Sequence, residues 1–264
     1  MAALLYHKKI NNMKMRYLKS IVMVTFLSLA ALFVMASCST SKKATTSKRD
    51  TAVATNAPDY KRIKKEINSK NSEFYYPELL RRFEAVDTTM TIEHLRYIYY
   101  GAATLPDYSP YGTSSFKSEL EKAMDITEPT QSDWENALSI VNKQLAKDPA
   151  SLTSRFYKLN ILVKVFGEGS KESIDAYNQL TMLFYAILST GDGQSEETAF
   201  YITSVSDEYT FMNMIGFRTK AQALVHSDNG QSYDVMDIVD EDGSESKLYF
   251  NITVLMESLN KMFK

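Results

Sequence analysis

The sequence predicts an α+β protein that is mainly α, with a stack of helix hairpins followed by a small antiparallel sheet and a C-terminal helix. From residue 59 to residue 190, apolar residues recur every three or four positions, which is the period of an amphipathic helix. After Gly191 they alternate with polar residues, as in strands. An Asp242-Gly243 pair between two alternating runs predicts a tight hairpin. The change of period divides this part of the chain into residues 59–190 and 191–264.

Seven segments of the first region have the helical period. Proline at a first helical position, serine or threonine caps, and glycine after the last turn set their limits. Ser132 and Glu135 have the spacing of a capping box, which predicts that the fifth helix begins at Asp133. The predicted helices cover residues 60–67, 77–85, 92–101, 116–124, 133–147, 152–163 and 174–187.

One helix pair resembles a tetratricopeptide repeat. Ala137 and Pro149 are twelve residues apart, the spacing at which such repeats place a small residue of the second helix and the closing proline. Gln144 stands where these repeats have another small residue, and no proline follows at the next period. The resemblance implies one or two degenerate repeats, in which each helix pair buries its apolar face against its neighbours.

The second region predicts strands around one helical insert. Phe200 and Ile202 flank Tyr201 in an extended run, and the insert at residues 208–215 ends at Gly216. Further strands are predicted at residues 221–226, 233–239 and 248–253. A terminal helix is expected to cover the sheet with the apolar side chains of Leu255, Leu259, Met262 and Phe263.

The stretch that ends at Cys38 has the features of a secretory signal. An apolar run at residues 21–34 follows three bases and precedes two small residues. The run is shorter than the roughly 20 residues of a bilayer span, which favours cleavage over retention in the membrane. Cys38 is the only cysteine and cannot form an intrachain disulfide, so acylation is the expected reason for a thiol there. We predict a signal peptide at residues 1–37 and a lipidated, disordered tether at residues 38–58.

Met35-Ala36-Ser37-Cys38 resembles the lipobox of Bacteroidota lipoproteins, with methionine at the first position as a departure. The resemblance implies a diacylglyceryl thioether on Cys38 and a further acyl chain such as palmitate, and two or more chains give a stable anchor. Residues 39–43 contain no acid, whereas surface-exported lipoproteins of that group have acids after the cysteine. The expected location is therefore the outer membrane, facing the periplasm. The alternative is an ordinary signal peptide with an incidental cysteine.

The charge balance argues against nucleic acid as a partner. Residues 1–37 hold five Lys/Arg and no Asp/Glu, so the remaining chain has 25 bases against 32 acids, a formal net charge of −7. The acidity is concentrated late, because residues 191–264 hold 13 acids against five bases. This step in charge supports a boundary near Gly191.

Tyrosines are concentrated in the first helices and in the irregular piece at residues 102–114. Tyrosine combines a flat apolar ring with a polar hydroxyl, and long irregular loops are often functional. We predict a candidate binding surface formed by Tyr108 and Tyr111 on this piece, with Tyr97 and Tyr100 on the helix before it. The alternative is that these rings are half-buried wedges between helices.

Three tyrosine-containing motifs resemble a domain-of-unknown-function family of Bacteroidota lipoproteins. The motifs are Tyr75-Tyr76-Pro77, Arg96-Tyr97-Ile98-Tyr99-Tyr100-Gly101 and Tyr108-Ser109-Pro110-Tyr111-Gly112. The resemblance extends from about Tyr60 to Ile252. It implies no activity, because the family has none assigned.

The sequence contains no recognisable catalytic or metal motif, and we predict no cofactor. His94 and His226 do not have the spacing of paired ligands. On a calcium loop, Ile238 and Tyr249 would occupy the most demanding ligand positions, which favours a solvated acidic turn over a cation site. The acids concerned are Asp234, Asp237, Asp240, Glu241, Asp242 and Glu245.

These features favour a non-catalytic envelope lipoprotein that presents a helical scaffold to a protein or peptide. The membrane is an expected partner through the lipid anchor. Two alternatives stay open: glycan binding by the loop with Tyr108 and Tyr111, and a hydrolase without a recognisable motif.

Overall fold

The computed structural model describes residues 56–111, 114–239 and 243–262. The predicted signal peptide, Cys38 and most of the predicted tether lie outside these residues, as do Asp240, Glu241 and Asp242. The described chain is α+β and mainly α, as predicted. Its helices are α1 (Tyr60–Ile67), α2 (Tyr76–Glu84), α3 (Ile92–Ala102), α4 (Ser114–Met124), α5 (Gln131–Lys147), α6 (Leu152–Phe166), α7 (Lys171–Leu188), α8 (Val205–Ile215) and α9 (Thr253–Met262). Its strands are β1 (Phe200–Tyr201), β2 (Arg218–His226), β3 (Ser232–Val239) and β4 (Glu245–Asn251).

Helix α5 begins two residues earlier than predicted. Thr130 has extended backbone and its hydroxyl accepts a hydrogen bond from the Asp133 amide at 3.3 Å. The Asp133 carboxylate accepts one in return from the Thr130 amide at 2.8 Å. This reciprocal pair is a capping box, so Thr130 and Asp133 fill the roles that the spacing had assigned to Ser132 and Glu135.

Gly101 was predicted to end the third helix, but it lies inside α3, which continues to Ala102. A Cβ at this position would lie 3.2 Å from Cε2 of Tyr76 and 3.3 Å from Cγ2 of Ile67. The missing side chain therefore allows α3 to pack closely against the end of α1 and the start of α2. Close approach, and not helix termination, explains this glycine.

The sheet has the order β1-β4-β3-β2 and is mixed, whereas the sequence predicted an antiparallel sheet. Strands β2, β3 and β4 form an antiparallel meander. Strand β1 pairs in parallel with β4, with Phe200 opposite Phe250. The chain leaves β1 through α8 and returns through the meander, so its last strand is placed beside its first in the same direction.

Two larger apolar clusters hold the described chain together. The main cluster joins α1, α2, α3, α6, α7, α8 and α9 to one face of the sheet and includes residues from both sides of Gly191, so the two predicted regions share a core. The second lies between α4, α5 and α6. Ala199, Tyr233 and Val235 form a small third cluster. Among the described helices, none combines the length and the hydropathy that a bilayer span requires.

Candidate functional site

The four tyrosines of the predicted binding surface do not lie together on one surface. Tyr97 and Tyr100 are buried in the main cluster. The ring of Tyr97 stacks on Phe74 with 3.9 Å between centroids, and the Tyr100 hydroxyl donates to the carbonyl of Tyr201 at 3.1 Å. These two rings have the packing role that the alternative interpretation gives them. Tyr111 is 61% exposed and is available to a ligand.

Tyr108 fixes the irregular loop to the body of the protein. Its ring is half-buried, and its hydroxyl donates to the carbonyl of Thr203 at 2.6 Å. Burial raises the pKa of this phenol far above its usual range. Because the polar end of the side chain is occupied, Tyr108 contributes mainly an anchor for the neighbouring Tyr111.

A buried carboxylate, Asp207, joins three helices. One oxygen accepts hydrogen bonds from the Thr153 amide at 2.9 Å and from the Thr153 hydroxyl at 2.8 Å. The other accepts one from the Tyr99 hydroxyl at 3.1 Å. Thr153 lies in the first turn of α6, where free amides and the helix dipole favour a negative charge. Asp207 therefore ties α8 to the start of α6 and to α3.

Asp148 lies at the end of α5, close to this carboxylate. Burial, followed by the negative charge of Asp207, raises the pKa of Asp148 to about 6. Burial also raises the pKa of Asp207, although the hydrogen bonds from Thr153 and Tyr99 oppose the shift. Two acids with raised pKa values thus lie near the junction of α5, α6 and α8.

A second acidic pair lies between α8 and the sheet. Glu208 has no exposed surface, and among the described residues neither of its carboxyl oxygens has a hydrogen-bond partner of good geometry. Burial, followed by the charge of Asp234, raises the pKa of Glu208 well above its usual range. Asp234 accepts a hydrogen bond from the Gln222 side chain at 2.8 Å, and Gln222 accepts one from the Tyr209 hydroxyl at 2.6 Å. Hydrogen bonds through Gln222 therefore connect Asp234 of this pair to the exposed strand β2.

Arg155 is a buried cation whose donors are all satisfied within the fold. Its guanidinium donates to the carbonyl of Pro149, to the carboxylate of Glu84 and to the side chain of Gln179. It also lies over the ring of Phe83, 4.9 Å from the centroid. These contacts hold α6 against α2 and α7, and pairing of this kind offsets the cost of burying the charge.

The histidines and the hairpin acids have separate partners. Nδ1 of His94 accepts a hydrogen bond from the Thr91 amide at 3.0 Å as part of the cap of α3, and His226 is hydrogen-bonded to Ser232. Asp237 pairs with Lys247, and Glu245 pairs with Lys220. Within the described ranges, no group of three His, Cys, Asp or Glu residues is placed to hold a metal ion.

Strand β2 is the most exposed regular element of the sheet. Seven of its nine residues are exposed, and Leu224 keeps 51% of its surface. Its inner edge pairs with β3, whereas no strand of the described chain pairs with its outer edge. The register is regular from Ala221 to His226, with an irregularity between Thr219 and Ala221.

An open groove of about 540 Å³ lies between α4 and α6. Tyr157 of α6 and the charged side chains of Glu121, Lys122 and Asp125 line it. Both signs of charge are present, so the groove favours no single charge of ligand.

The buried ionisable residues were missed by the sequence analysis, although a signal for them exists. Asp207 is spaced four and seven residues from the buried Phe211 and Met214, and Glu208 is four residues from the buried Met212. The periodicity of α8 therefore places both acids on its apolar stripe. An acid in phase with such a stripe indicates a buried carboxyl group. No comparable signal identifies the outer edge of β2, because strand order depends on the whole fold.

A family model described as "Domain of unknown function (DUF4919)" matches residues 61–261. No curated protein matches the chain, and no solved structure matches it.

Proposed function

Since the chain belongs to the DUF4919 family, for which no function is described, we propose a role from its own residues: a non-catalytic, lipid-anchored envelope protein that binds an extended segment of another protein along β2. The observation that supports this most directly is the exposed outer edge of β2. Such an edge has main-chain donors and acceptors free for a further strand, which is the basis of peptide recognition by strand addition.

The hydrogen-bond pattern identifies the residues that would meet the added strand. Just beyond β2, the Ser227 amide donates to the carbonyl of Gln231. In an antiparallel pair, residues alternate between those that bond the partner strand and those that point away from it. Val225 and Ala223 therefore direct their main-chain groups toward β3, whereas Leu224 and Gln222 direct theirs toward the outer edge.

The side chains of β2 define the chemistry of the partner. Charged side chains and proline usually protect an edge strand from pairing, and the strand has neither from Ala221 to Val225. Leu224 offers an exposed apolar contact. Near one end, the exposed Arg218 forms no ion pair within the described residues. The best-fitting partner is an extended peptide with an apolar residue opposite Leu224 and an acid near Arg218.

The anchor belongs to the same proposal. The motif that ends at Cys38 supports lipidation and attachment to the outer membrane on the periplasmic side, as in Bacteroidota lipoproteins. The hairpins of α5, α6 and α7 fit degenerate tetratricopeptide-like repeats that act as the scaffold for the sheet. Labelling with a palmitate analogue tests the anchor: wild type should incorporate the label and Cys38→Ala should not. Labelling that survives in Cys38→Ala would refute this attachment point.

Peptide binding is tested by selecting extended peptides from a displayed random library on immobilised residues 39–264. Enriched peptides should share an apolar residue and an acid. Their affinity should fall about tenfold or more in Leu224→Pro, since loss of an outward amide removes about one hydrogen bond and displaces its neighbours. The outer edge tolerates proline because the lost amide makes no bond to β3.

Leu224→Lys is a second test of the β2 site, and Ile174→Lys is its matched control. Both positions are about half exposed, at 51% and 49% respectively, but Ile174 lies on α7. Weaker binding in Leu224→Lys alone supports the β2 site. Equal affinity of wild type and Leu224→Pro, with unfolding midpoints that show both to be folded, would overturn it.

Glycan binding is a second candidate, favoured by the exposed ring of Tyr111. Exposed tyrosines suit the flat apolar faces of sugars. A glycan array should then detect binding that Tyr111→Ala abolishes. Binding that is unchanged in Tyr111→Ala would dismiss this site.

A further inference from the structure

The first helix of the described chain has a strongly basic outer face. Ile63 and Ile67 bury one side of α1, whereas Lys61, Arg62, Lys64 and Lys65 are exposed. Lys61 and Lys65 are one turn apart, on the side opposite the buried isoleucines. Lys70 adds a further exposed cation directly after the helix. We call these five residues the α1 basic face.

The acids around this face neutralise only part of its charge. Arg62 lies 3.7 Å from Glu93 in an ion pair whose two side chains are mostly exposed. Asp59 caps the helix by accepting from the Arg62 amide, and Glu66 accepts from the Ser72 hydroxyl. Glu73 lies 3.9 Å from His94. The four lysines form no ion pair within the described residues.

The charge of the α1 basic face contrasts with the rest of the chain. Residues 59–70 hold five bases against two acids, a net charge of +3, although residues 38–264 together have a net charge of −7. A protein with this balance is repelled by an anionic surface unless its basic end approaches first. The charge distribution therefore selects one orientation.

We propose that the α1 basic face lies against an anionic phospholipid bilayer surface and orients the folded body on the membrane. In the cell this inference rests on the proposed anchor, because Lys61 follows Cys38 by 23 residues. The 17 residues from 39 to 55 can span up to about 60 Å when extended. Electrostatic attraction acts within about 8 Å of the surface at physiological salt, so the basic face and not the connection alone brings the body to the bilayer.

The contacts of α1 connect it to the edge strand of the sheet that is not the proposed peptide site. The N-terminal end of the described chain is held near α3, where the Asn56 carbonyl accepts from Arg96 at 2.6 Å. Tyr60 of α1 makes an edge-to-face contact with Tyr100, and Tyr100 bonds the carbonyl of Tyr201 in β1. Strand β1 is at one edge of the sheet and β2 is at the other. Helix α1 is thus connected through Tyr100 to the edge strand β1, and we expect the outer edge of β2 to stay accessible.

Vesicle co-sedimentation of residues 39–264 tests the inference without the lipid anchor, and this segment contains every contact described above. We expect binding to vesicles with about one-third phosphatidylglycerol in phosphatidylcholine, and its loss near 1 M salt. Lys61→Gln with Lys65→Gln should lower the partition coefficient about tenfold or more. Lys143→Gln with Lys147→Gln, an exposed pair of equal spacing on α5, should change it less than about twofold.

Equal binding to pure phosphatidylcholine vesicles would overturn the inference, as would an equal loss in the two double variants. Circular dichroism of each variant, before and after heating, establishes that it is folded. Palmitate labelling remains an independent readout. Failure to bind anionic vesicles with normal labelling would refute the α1 basic face alone, whereas failed labelling with normal vesicle binding would refute the anchor.

Discussion

Glu208 is the residue whose charge state the fold perturbs most clearly. It has no exposed surface, lies beside the carboxyl group of Asp234 and is also affected by the charge of Asp207. Burial is the largest cause of its raised pKa. The fold therefore favours the protonated form of Glu208, because a neutral Glu208 is not repelled by the carboxylate of Asp234.

The raised pKa predicts a pH-dependent stability. Above the unfolded pKa of about 4.5, folding must bind a proton, so the contribution of Glu208 to stability falls as pH rises toward the folded pKa. Glu208→Gln imitates the neutral acid and should raise the melting temperature at pH 7–8 by a few degrees, since about 1 kcal/mol corresponds to 2–4 °C. At about pH 4 the variant and wild type should melt together.

Thermal unfolding across this pH range is the measurement, with Glu257→Gln as the control. Glu257 is exposed on α9, so its substitution should leave the melting temperature within about 1 °C of wild type. A Glu208→Gln variant less stable than wild type at pH 8 would contradict the prediction.

Unlike Glu208, Asp207 stabilises the fold through its carboxylate, both oxygens of which accept hydrogen bonds. Asp207→Ala should lower the free energy of unfolding by about 2–4 kcal/mol, because it leaves the amide of Thr153 and the hydroxyl of Tyr99 without their acceptor inside the fold. Urea unfolding measures the change. Thr153→Val with Asp207→Ala should cost less than the sum of the single changes. Strict additivity would show that the contact contributes nothing.

At the scale of elements, the turn between α7 and β1 depends on two glycines. A Cβ on Gly191 would lie 1.9 Å from the carbonyl oxygen of Thr198. Gly193 has a φ of +71°, and its carbonyl accepts from the Tyr249 amide of β4 at 2.9 Å. The turn is therefore attached to the sheet, and neither position has space for a side chain.

Gly191→Ala should consequently lower the free energy of unfolding by about 2 kcal/mol or more, because backbone has to move to relieve the contact. Gly169→Ala is the control, since a Cβ there meets nothing within 4 Å. That change should stay within about 0.5 kcal/mol of wild type in denaturant unfolding. Equal free energies of unfolding for the two variants would show that the turn can accommodate a side chain at residue 191 without loss of stability.

The elements themselves could largely be predicted, because they depend on local period. The helical spacing located the helices, and the alternating runs on both sides of the Asp242-Gly243 pair located the β3–β4 hairpin. The capping box of α5 was misplaced because the sequence contains two overlapping pairs with the same spacing, Thr130 with Asp133 and Ser132 with Glu135. The role of Gly101 depends on Tyr76 and Ile67 of other helices, and the parallel pairing of β1 depends on a partner 50 residues away. Neither relationship is present in a local window of sequence.

The candidate site was less predictable than the fold for the same reason. The sequence favoured Tyr108 and Tyr111 because they lie on the loop, but it also included Tyr97 and Tyr100, which the structure buries in the core. The basic character of α1 is visible in the sequence. That its lysines form no ion pair within the described residues is visible only once the acids of α3 and of the α1–α2 connection have been placed.

At the scale of the whole molecule, the two larger apolar clusters differ greatly in size. The cluster of α4, α5 and α6 has seven buried residues, whereas the main cluster includes most of the remaining buried apolar side chains. Only α6 contributes to both. We therefore expect α4 and α5 to open more readily than the sheet.

Leu120→Ala tests this expectation, because Leu120 lies in the smaller cluster. Truncation should cost about 2–4 kcal/mol locally and speed hydrogen exchange in α4 and α5, while exchange in β3 and β4 stays as in wild type. Exchange measured by mass spectrometry on peptide fragments resolves the two regions. A uniform acceleration across all fragments would instead indicate one cooperative unit.

The position of β4 has a consequence for how the protein is made. Although β4 ends at Asn251, near the C-terminus of the described chain, it is an inner strand that joins β1 to β3. A nascent polypeptide that stops before residue 245 therefore lacks the middle of its sheet and leaves Phe200 and Phe211 without Phe250. Residues 245–251 must therefore be synthesised before the sheet can close, and a chain truncated before residue 245 should yield an aggregation-prone product rather than a smaller working domain.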